Sequence, residues 1–123
     1  MNELEKLITV EKDARAFGFE WPNIEMVIEQ AVSECHEIQD AVDQKEPSIR
    51  LQEEIGDLIH NAVSLCIFAG FDVHETLEVV QKKFSERMRH VKELTKKRGL
   101  ENLRGKSTDF MMEIWREAKK LSS

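Results

Sequence analysis

Apolar residues recur at steps of three and four along most of this chain, and few helix-breaking residues interrupt the pattern. Only two prolines and five glycines occur in 123 residues. A period near 3.6 residues puts the apolar side chains on one face of an α-helix, while glycine and proline mark the places where helices begin or end. The sequence therefore predicts an all-α protein.

Helix boundaries follow from these breaks and from neighbouring capping residues. We expect helices over residues 2–17, 23–44, 48–70, 72–98 and 108–121. Short links between successive helices favour antiparallel neighbours. The predicted fold is therefore an antiparallel bundle of four main helices plus a C-terminal helix. At 14.3 kDa, residues 1–123 are expected to form a single domain with its core at about 19–98.

The composition and charge exclude several classes of protein. The net charge is −6 and the isoelectric point is near 5.3, which argues against a nucleic-acid-binding surface. Residues 1–19 contain no continuous apolar segment of the signal-peptide kind, and the longest mostly apolar stretch, 62–71, is too short to cross a bilayer. Cys35 and Cys66 are isolated, so we expect reduced, buried thiols. We expect a cytoplasmic protein with neither a nucleic-acid nor a membrane partner.

Two pairs of acidic residues lie on consecutive predicted helices. They are Glu34 with Glu37, and Glu54 with Asp57. Carboxylates three residues apart share one face of a helix, with Cβ atoms roughly 5–6 Å apart. Two such pairs on neighbouring helices indicate four carboxylates gathered around a hard cation. A ligand set made only of oxygens favours Mg²⁺, with Mn²⁺ as a possible substitute, over Zn²⁺.

The apolar pattern around these acids strengthens the prediction. The inward positions of the second helix are expected to be Ile24, Val27, Ala31, Glu34, Ile38 and Ala41. Glu34 thus occupies a position where the pattern otherwise has aliphatic side chains. A carboxylate expected at such a position needs a ligand or a partner.

On the third helix, an apolar stripe is expected to face the core, with a polar stripe beside it. The apolar stripe consists of Leu51, Ile55, Leu58, Ala62, Leu65 and Ala69. The polar stripe contains Glu54, Asp57 and Asn61. Gly56, in the middle of this helix, costs about 1 kcal/mol relative to alanine. Close approach of another group to the backbone would explain it.

The fourth helix has a basic residue among its predicted inward positions. These positions are Val73, Leu77, Val80, Phe84, Arg87, Val91 and Leu94. An inward guanidinium needs an anion, because burying it unpaired is expensive. Lys83 lies one turn earlier on the same edge. Carboxylate-held cations facing these two basic residues suit a polyphosphate, and hydrolysis of a nucleoside triphosphate is the reaction class that this combination favours.

The spacing of the acids resembles a known family signature. Glu34-x-x-Glu37, 16 residues, and then Glu54-Ile-Gly-Asp57 resembles the MazG-like all-α nucleoside triphosphate pyrophosphohydrolases. The resemblance implies that these four acids hold Mg²⁺. It also implies that the chain converts a (d)NTP to (d)NMP and pyrophosphate, in nucleotide-pool housekeeping. Glu37 or Glu54 would act as the general base, and the choice between them stays open.

The same resemblance extends to substrate-binding residues. Lys83 and Arg87 match residues that contact the triphosphate, and Trp115 and Lys119 match a pair implicated in nucleotide binding. Asn61 continues the acidic stripe, so it is a candidate for a hydrogen bond to a ligand or a sugar.

Two interpretations stay open beside the enzyme. One is a non-catalytic helical module that binds a nucleotide or a metal. The other is a di-iron bundle, suggested by the spacing of Asp57 and His60 but lacking a second carboxylate–histidine motif. Separately, a thin five-helix bundle is not expected to bury all of its apolar surface. The residues that exceed it are Ile67, Phe68, Phe71, Met111 and Trp115. We therefore expect a homodimer or a dimer of dimers.

Overall fold

The structure is a computed structural model that describes residues 1–122. The described residues form five α-helices and no strands. The helices are α1 (Glu3–Ala16), α2 (Ile24–Asp43), α3 (Ser48–Phe68), α4 (Val73–Lys97) and α5 (Thr108–Leu121). The predicted all-α class is confirmed, and every predicted helix is found with its ends within two residues of the expected positions. None of these helices is both long and apolar enough to cross a membrane.

The helix ends show why the boundaries were predictable. Asn2, Asn23 and Ser107 each accept a hydrogen bond from a backbone N–H in the first turn of α1, α2 and α5. These side chains satisfy donors that have no partner within the helix. Gly70 and Gly99 follow α3 and α4 with φ of 87° and 75°. Glycine adopts such values readily, whereas other residues are strained there.

The chain divides into two compact units. The first, Met1–Val73, contains α1, α2 and α3. In this unit α2 packs along α3, and α1 packs against α3. Residues 44–47 link α2 to α3, so these two helices form an antiparallel hairpin.

The second unit begins at His74. Its core is the cluster of Val91, Ile114 and Ala118, through which α4 packs against α5. Partly buried side chains, including Met88 and Trp115, surround this cluster. That the two units act as one domain stays a prediction.

The predicted inward face of α2 is the face that the structure buries. Val27, Glu34 and Ala41 are buried, and the intervening members of the series are half-buried. Cys35, expected to be buried, is exposed instead, because it lies next to this face rather than on it.

The prediction for α3 is wrong in part: Leu51, Leu58 and Leu65 of the apolar stripe are half-buried, but the other members are exposed and two polar residues are buried. Glu54 and Asn61 on the polar stripe are buried, whereas Ile55 is 43% exposed and Ala62 is exposed. The physical reason is that α3 carries apolar residues on more than one side, so periodicity alone did not select the side that packs on α2. A Cβ added to Gly56 would meet nothing within 4 Å among the described residues. The expected close approach to its backbone is therefore not found there.

The predicted inward positions of α4 are buried only in part. Val73 and Val91 are buried and Leu94 is half-buried. Leu77, Val80 and Phe84 are exposed, Phe84 by 56%, so the prediction is wrong for these three positions. The core cluster with α5 involves only the C-terminal half of α4, and the apolar residues between Leu77 and Phe84 are exposed.

Candidate metal centre and adjoining cleft

The structure brings carboxylates from α2 and α3 together in the first unit. One ligand oxygen from each of Glu34, Glu54 and Asp57 lies within 4.8 Å of the other two. We call these three residues the acid group. The antiparallel hairpin produces this convergence, because Glu34 and Glu54 lie at similar distances from the link at 44–47.

Two members of the acid group are buried and incompletely satisfied. Glu34 and Glu54 are each 8% exposed. Gln30 Nε2 donates to Glu34 Oε1 at 2.7 Å, and Arg50 Nη2 donates to Glu54 Oε1 at 3.2 Å. The other oxygen of each carboxylate, Oε2, is buried and has no hydrogen-bond partner among the described residues. Leaving a buried charged oxygen without a partner is costly.

A divalent cation fits this arrangement. It would neutralise the mutual repulsion of the carboxylates and would supply a partner for the oxygens of Glu34 and Glu54 that lack one. The three nearest donors are carboxylate oxygens, the ligand type that suits Mg²⁺ and Mn²⁺. The acid group is therefore able to hold a hard metal ion.

Glu37, the fourth predicted acid, lies at the exposed edge of the acid group. Its pKa is raised to about 7, first because a proton on Glu37 would be shared in a hydrogen bond with Glu54, and then by the charge of Glu34. The carboxyl of Glu37 is therefore close to both of these groups, although it is not one of the three mutually adjacent ligands. Without a cation the cluster retains a proton that an isolated glutamate would lose.

His60 does not join the acid group. Its Nε2 lies 2.9 Å from Glu11 Oε2 on α1. The Asp57-x-x-His60 spacing therefore does not produce a carboxylate–histidine metal site in the described residues. The di-iron interpretation loses the one motif that suggested it.

A cleft of about 570 Å³ adjoins the acid group in the first unit. Glu34 and Asp57 contribute to its lining, together with Trp21, Asn61 and residues of α1. Asn61 is 8% exposed, and its Oδ1 is buried without a hydrogen-bond partner among the described residues. The cleft therefore combines aromatic, amide and carboxylate groups beside the candidate metal centre.

The predicted basic and aromatic site residues lie in the second unit. The Arg87 guanidinium carbon is 5.8 Å from the centre of the Trp115 ring, within the range of a cation–π contact. Phe84 lies 6.0 Å from the same ring. Arg87 Nε is buried without a hydrogen-bond partner among the described residues. Lys83 and Lys119 are exposed.

Sequence reasoning missed several residues around the acid group. Gln30 precedes Glu34 by four residues, and Arg50 precedes Glu54 by four, a spacing that brings side chains together on a helix. That spacing was a usable signal. The contacts of Glu11 carried no such signal, because its partners are 49 and 53 residues away in the chain.

The fold and the acid group define a class of all-α proteins with a carboxylate metal centre. Residues 23–92 match the family model described as the MazG nucleotide pyrophosphohydrolase domain. The match covers more than half of the chain and includes all four predicted acids with Lys83 and Arg87. The chain therefore belongs to the MazG nucleotide pyrophosphohydrolase family, as the resemblance of its acidic signature implied.

Two curated relatives show similarity over most of the chain. It is 35% identical over 110 residues to the nucleoside triphosphate pyrophosphohydrolase/pyrophosphatase MazG of Thermotoga maritima, covering 89% of this chain and 41% of that protein. It is 30% identical over 116 residues to the nucleoside triphosphate pyrophosphohydrolase of Escherichia coli K12, covering 90% of this chain and 42% of that protein. The chain thus spans about two fifths of the length of these relatives.

Proposed function

We propose that this chain is a Mg²⁺-dependent nucleoside triphosphate pyrophosphohydrolase. Water attacks the α-phosphorus, the α–β phosphoanhydride bond breaks, and a (d)NMP and pyrophosphate are released. The observation that carries this proposal is the pair of buried, partnerless oxygens on Glu34 and Glu54 beside Asp57. Membership of the family supports it. The proposed role is nucleotide-pool housekeeping in the cytoplasm.

Four acids would hold the metal in this proposal: Glu34, Glu37, Glu54 and Asp57. When bound, a divalent cation supplies positive charge beside the phosphate oxygens and makes a coordinated water more acidic. Glu37 and Glu54 are the two candidates for accepting the proton of the attacking water. Glu37→Gln and Glu54→Gln each keep the shape of the side chain and remove its ability to accept a proton. Comparing the two variants distinguishes the two candidates.

The remaining predicted residues would bind the nucleotide. We assign contacts with the triphosphate to Lys83 and Arg87, and a nucleotide contact to Trp115 and Lys119. The unsatisfied Nε of Arg87 supports an anion contact there. The nucleoside would occupy the cleft next to the acid group, where Asn61 offers a buried amide oxygen.

We also propose that the chain assembles as a homodimer or a dimer of dimers. Large apolar side chains are exposed on both α3 and α4. They are Ile49, Ile55 and Ile59 on α3, and Leu77, Val79, Val80 and Phe84 on α4. Several large apolar side chains left exposed on one helix favour an interaction site over a free surface. Sedimentation of a well-folded monomer at micromolar concentration would contradict this assembly.

A nucleotide panel tests the proposed reaction. The chain is incubated with NTPs and dNTPs plus Mg²⁺, and the products are identified. Pyrophosphate and a nucleoside monophosphate are expected in equal amounts. Release of orthophosphate would show cleavage at the β–γ bond and would contradict the assignment.

One alternative is a non-catalytic module that binds a nucleotide or a metal. The observation that favours it is the contact of Arg50 Nη2 with Glu54 Oε1 at 3.2 Å, which places a cation of the chain itself beside one of the candidate ligands. Such a module would bind Mg²⁺ or nucleotide in the same panel and would release no pyrophosphate.

A further inference from the structure

A half-buried carboxylate in the cleft lies outside the acid group. Glu11 on α1 is only 13% exposed at its side chain. Ser64 Oγ donates to Glu11 Oε1 at 2.6 Å, and His60 Nε2 lies 2.9 Å from Glu11 Oε2. Burial alone would raise the pKa of Glu11, but these two contacts, together with the positive charges of His60 and Arg15, outweigh burial and the pKa is lowered. Glu11 is therefore a fixed, ionised acceptor at neutral pH.

The position of Glu11 relates it to the candidate metal centre. Its partner Ser64 follows Asp57 by seven residues on α3, which is about two turns or roughly 10 Å along the helix. Asp57, Asn61, Ser64 and Glu11 all line the same cleft. A nucleotide whose phosphates lie at Asp57 and whose sugar lies near Asn61 would extend its base towards Glu11.

The hydrogen-bonding chemistry of the Glu11 carboxylate restricts which nucleobases it can bind. An ionised carboxylate only accepts hydrogen bonds, and its two oxygens offer about four acceptor positions. Ser64 and His60 occupy one position on each oxygen, so one remains free on each. An exocyclic amino group supplies the donor that these positions require. Uracil and thymine instead present carbonyl oxygens on both sides of their ring N–H, and these would face a like charge.

We propose that Glu11 is a specificity-determining residue that selects nucleotides with an amino group on the base edge. The proposal rests on the proposed function, because it assumes that the nucleoside occupies this cleft. It names the substrate class: cytosine is favoured over uracil, and guanine over hypoxanthine. Ser64 acts as a positioning residue, since it holds the Glu11 carboxylate in place.

Matched nucleotide pairs test this proposal. CTP and UTP differ at the base in the amino or oxo group at C4 and in the hydrogen on N3, which only uracil carries. GTP and ITP differ only in the 2-amino group and are therefore the stricter pair. The wild-type chain is expected to favour the amino-bearing member by about tenfold or more in kcat/KM. Glu11→Gln replaces one acceptor oxygen by a donor. The ratio of kcat/KM for CTP to that for UTP should therefore fall towards one, because kcat/KM rises with UTP and falls with CTP. Ser64→Ala should lower the ratio less, in the same direction.

The matched control is Asp13→Asn. Asp13 is exposed on α1, two residues from Glu11, and does not line the cleft. This substitution removes the same charge from the same helix, and it should leave the CTP/UTP and GTP/ITP ratios of kcat/KM unchanged. An equal change in Asp13→Asn and Glu11→Gln would overturn the proposal, because the effect would then come from net charge.

Product binding separates this proposal from the proposed reaction. The dissociation constants of CMP, UMP, GMP and IMP are measured by calorimetry on the full chain, without any need for turnover. Discrimination that Glu11→Gln abolishes would support the role of Glu11 even if no pyrophosphate is released. Equal binding of CMP and UMP by the wild type, or no binding of either, would overturn it even if the chain is an active enzyme. Should Glu11→Gln fail to fold by circular dichroism, an unchanged ratio in Ser64→Ala would overturn it.

Discussion

The first unit contains carboxylates in two opposite electrostatic settings. In the acid group, Glu34 and Glu54 each retain a buried oxygen without a partner, and the crowding raises the pKa of Glu37 to about 7. At Glu11, donors from α3 satisfy both oxygens, and the pKa is lowered. In the acid group, carboxylate oxygens thus lack partners as long as no cation is bound. At Glu11, hydrogen bonds stabilise the carboxylate as an anion. This difference is the one expected between a candidate metal ligand and a hydrogen-bond acceptor.

Removing a ligand from the acid group should have the largest effect. Glu34→Gln is expected to lower the rate of pyrophosphate release by about 10²-fold or more, because the charge that holds the cation is lost. The same change should raise the melting temperature of the metal-free chain, since it relieves repulsion. Steady-state kinetics and thermal unfolding check the two effects. Glu29→Gln, an exposed acid on the same helix, is the control and should change neither.

The second unit provides the next test. Arg87→Ala should raise KM for a nucleoside triphosphate by about tenfold, because a charge-assisted hydrogen bond to phosphate is lost. Arg116→Ala, which removes an exposed cation from α5, should have little effect. If both variants behave alike, the effect reflects general charge rather than a phosphate contact.

The raised pKa of Glu37 predicts a pH dependence for the metal-free chain. The folded state binds this proton more tightly than the unfolded state, whose value is near 4.5. The free energy of unfolding should therefore fall as the pH rises from about 4.5 to 7. Urea midpoints across this range measure the change, and Glu37→Gln should lose this component. If the urea midpoint increased with pH by the same amount in the wild type and in Glu37→Gln, the proposed repulsion among these carboxylates would be contradicted.

Glu11 predicts a smaller effect of the opposite sign. Its pKa is lowered in the folded state from an ordinary value of 4.5, so its contribution to stability is present above that pH. The contribution is lost as the pH falls through the lower folded pKa. Acid unfolding followed by circular dichroism should therefore be less steep in Glu11→Gln than in the wild type. Identical acid-unfolding curves for the wild type and Glu11→Gln would show that Ser64 and His60 do not stabilise the Glu11 carboxylate.

The contrast between these sites also explains what was predictable from sequence. Glu34 was recognisable because it is the one acid in an otherwise apolar series on α2. On α3 the buried stripe was misassigned. Ile55 and Ile59 are apolar yet exposed, so apolar residues do not mark the buried side of this helix uniquely. Glu11 was missed because its partners are far apart in the chain and meet only when α1 packs on α3. Local spacing thus predicted helices and the acid group, whereas tertiary contacts alone placed the Glu11 acceptor.

The central claim is that the acid group binds a divalent cation. A crystal of the wild-type chain soaked in Mn²⁺ tests this directly through its anomalous difference map. The account predicts a peak at coordination distance from Glu34, Glu54 and Asp57, and no peak in Glu34→Gln. A manganese peak elsewhere, with none between these three carboxylates, would contradict it.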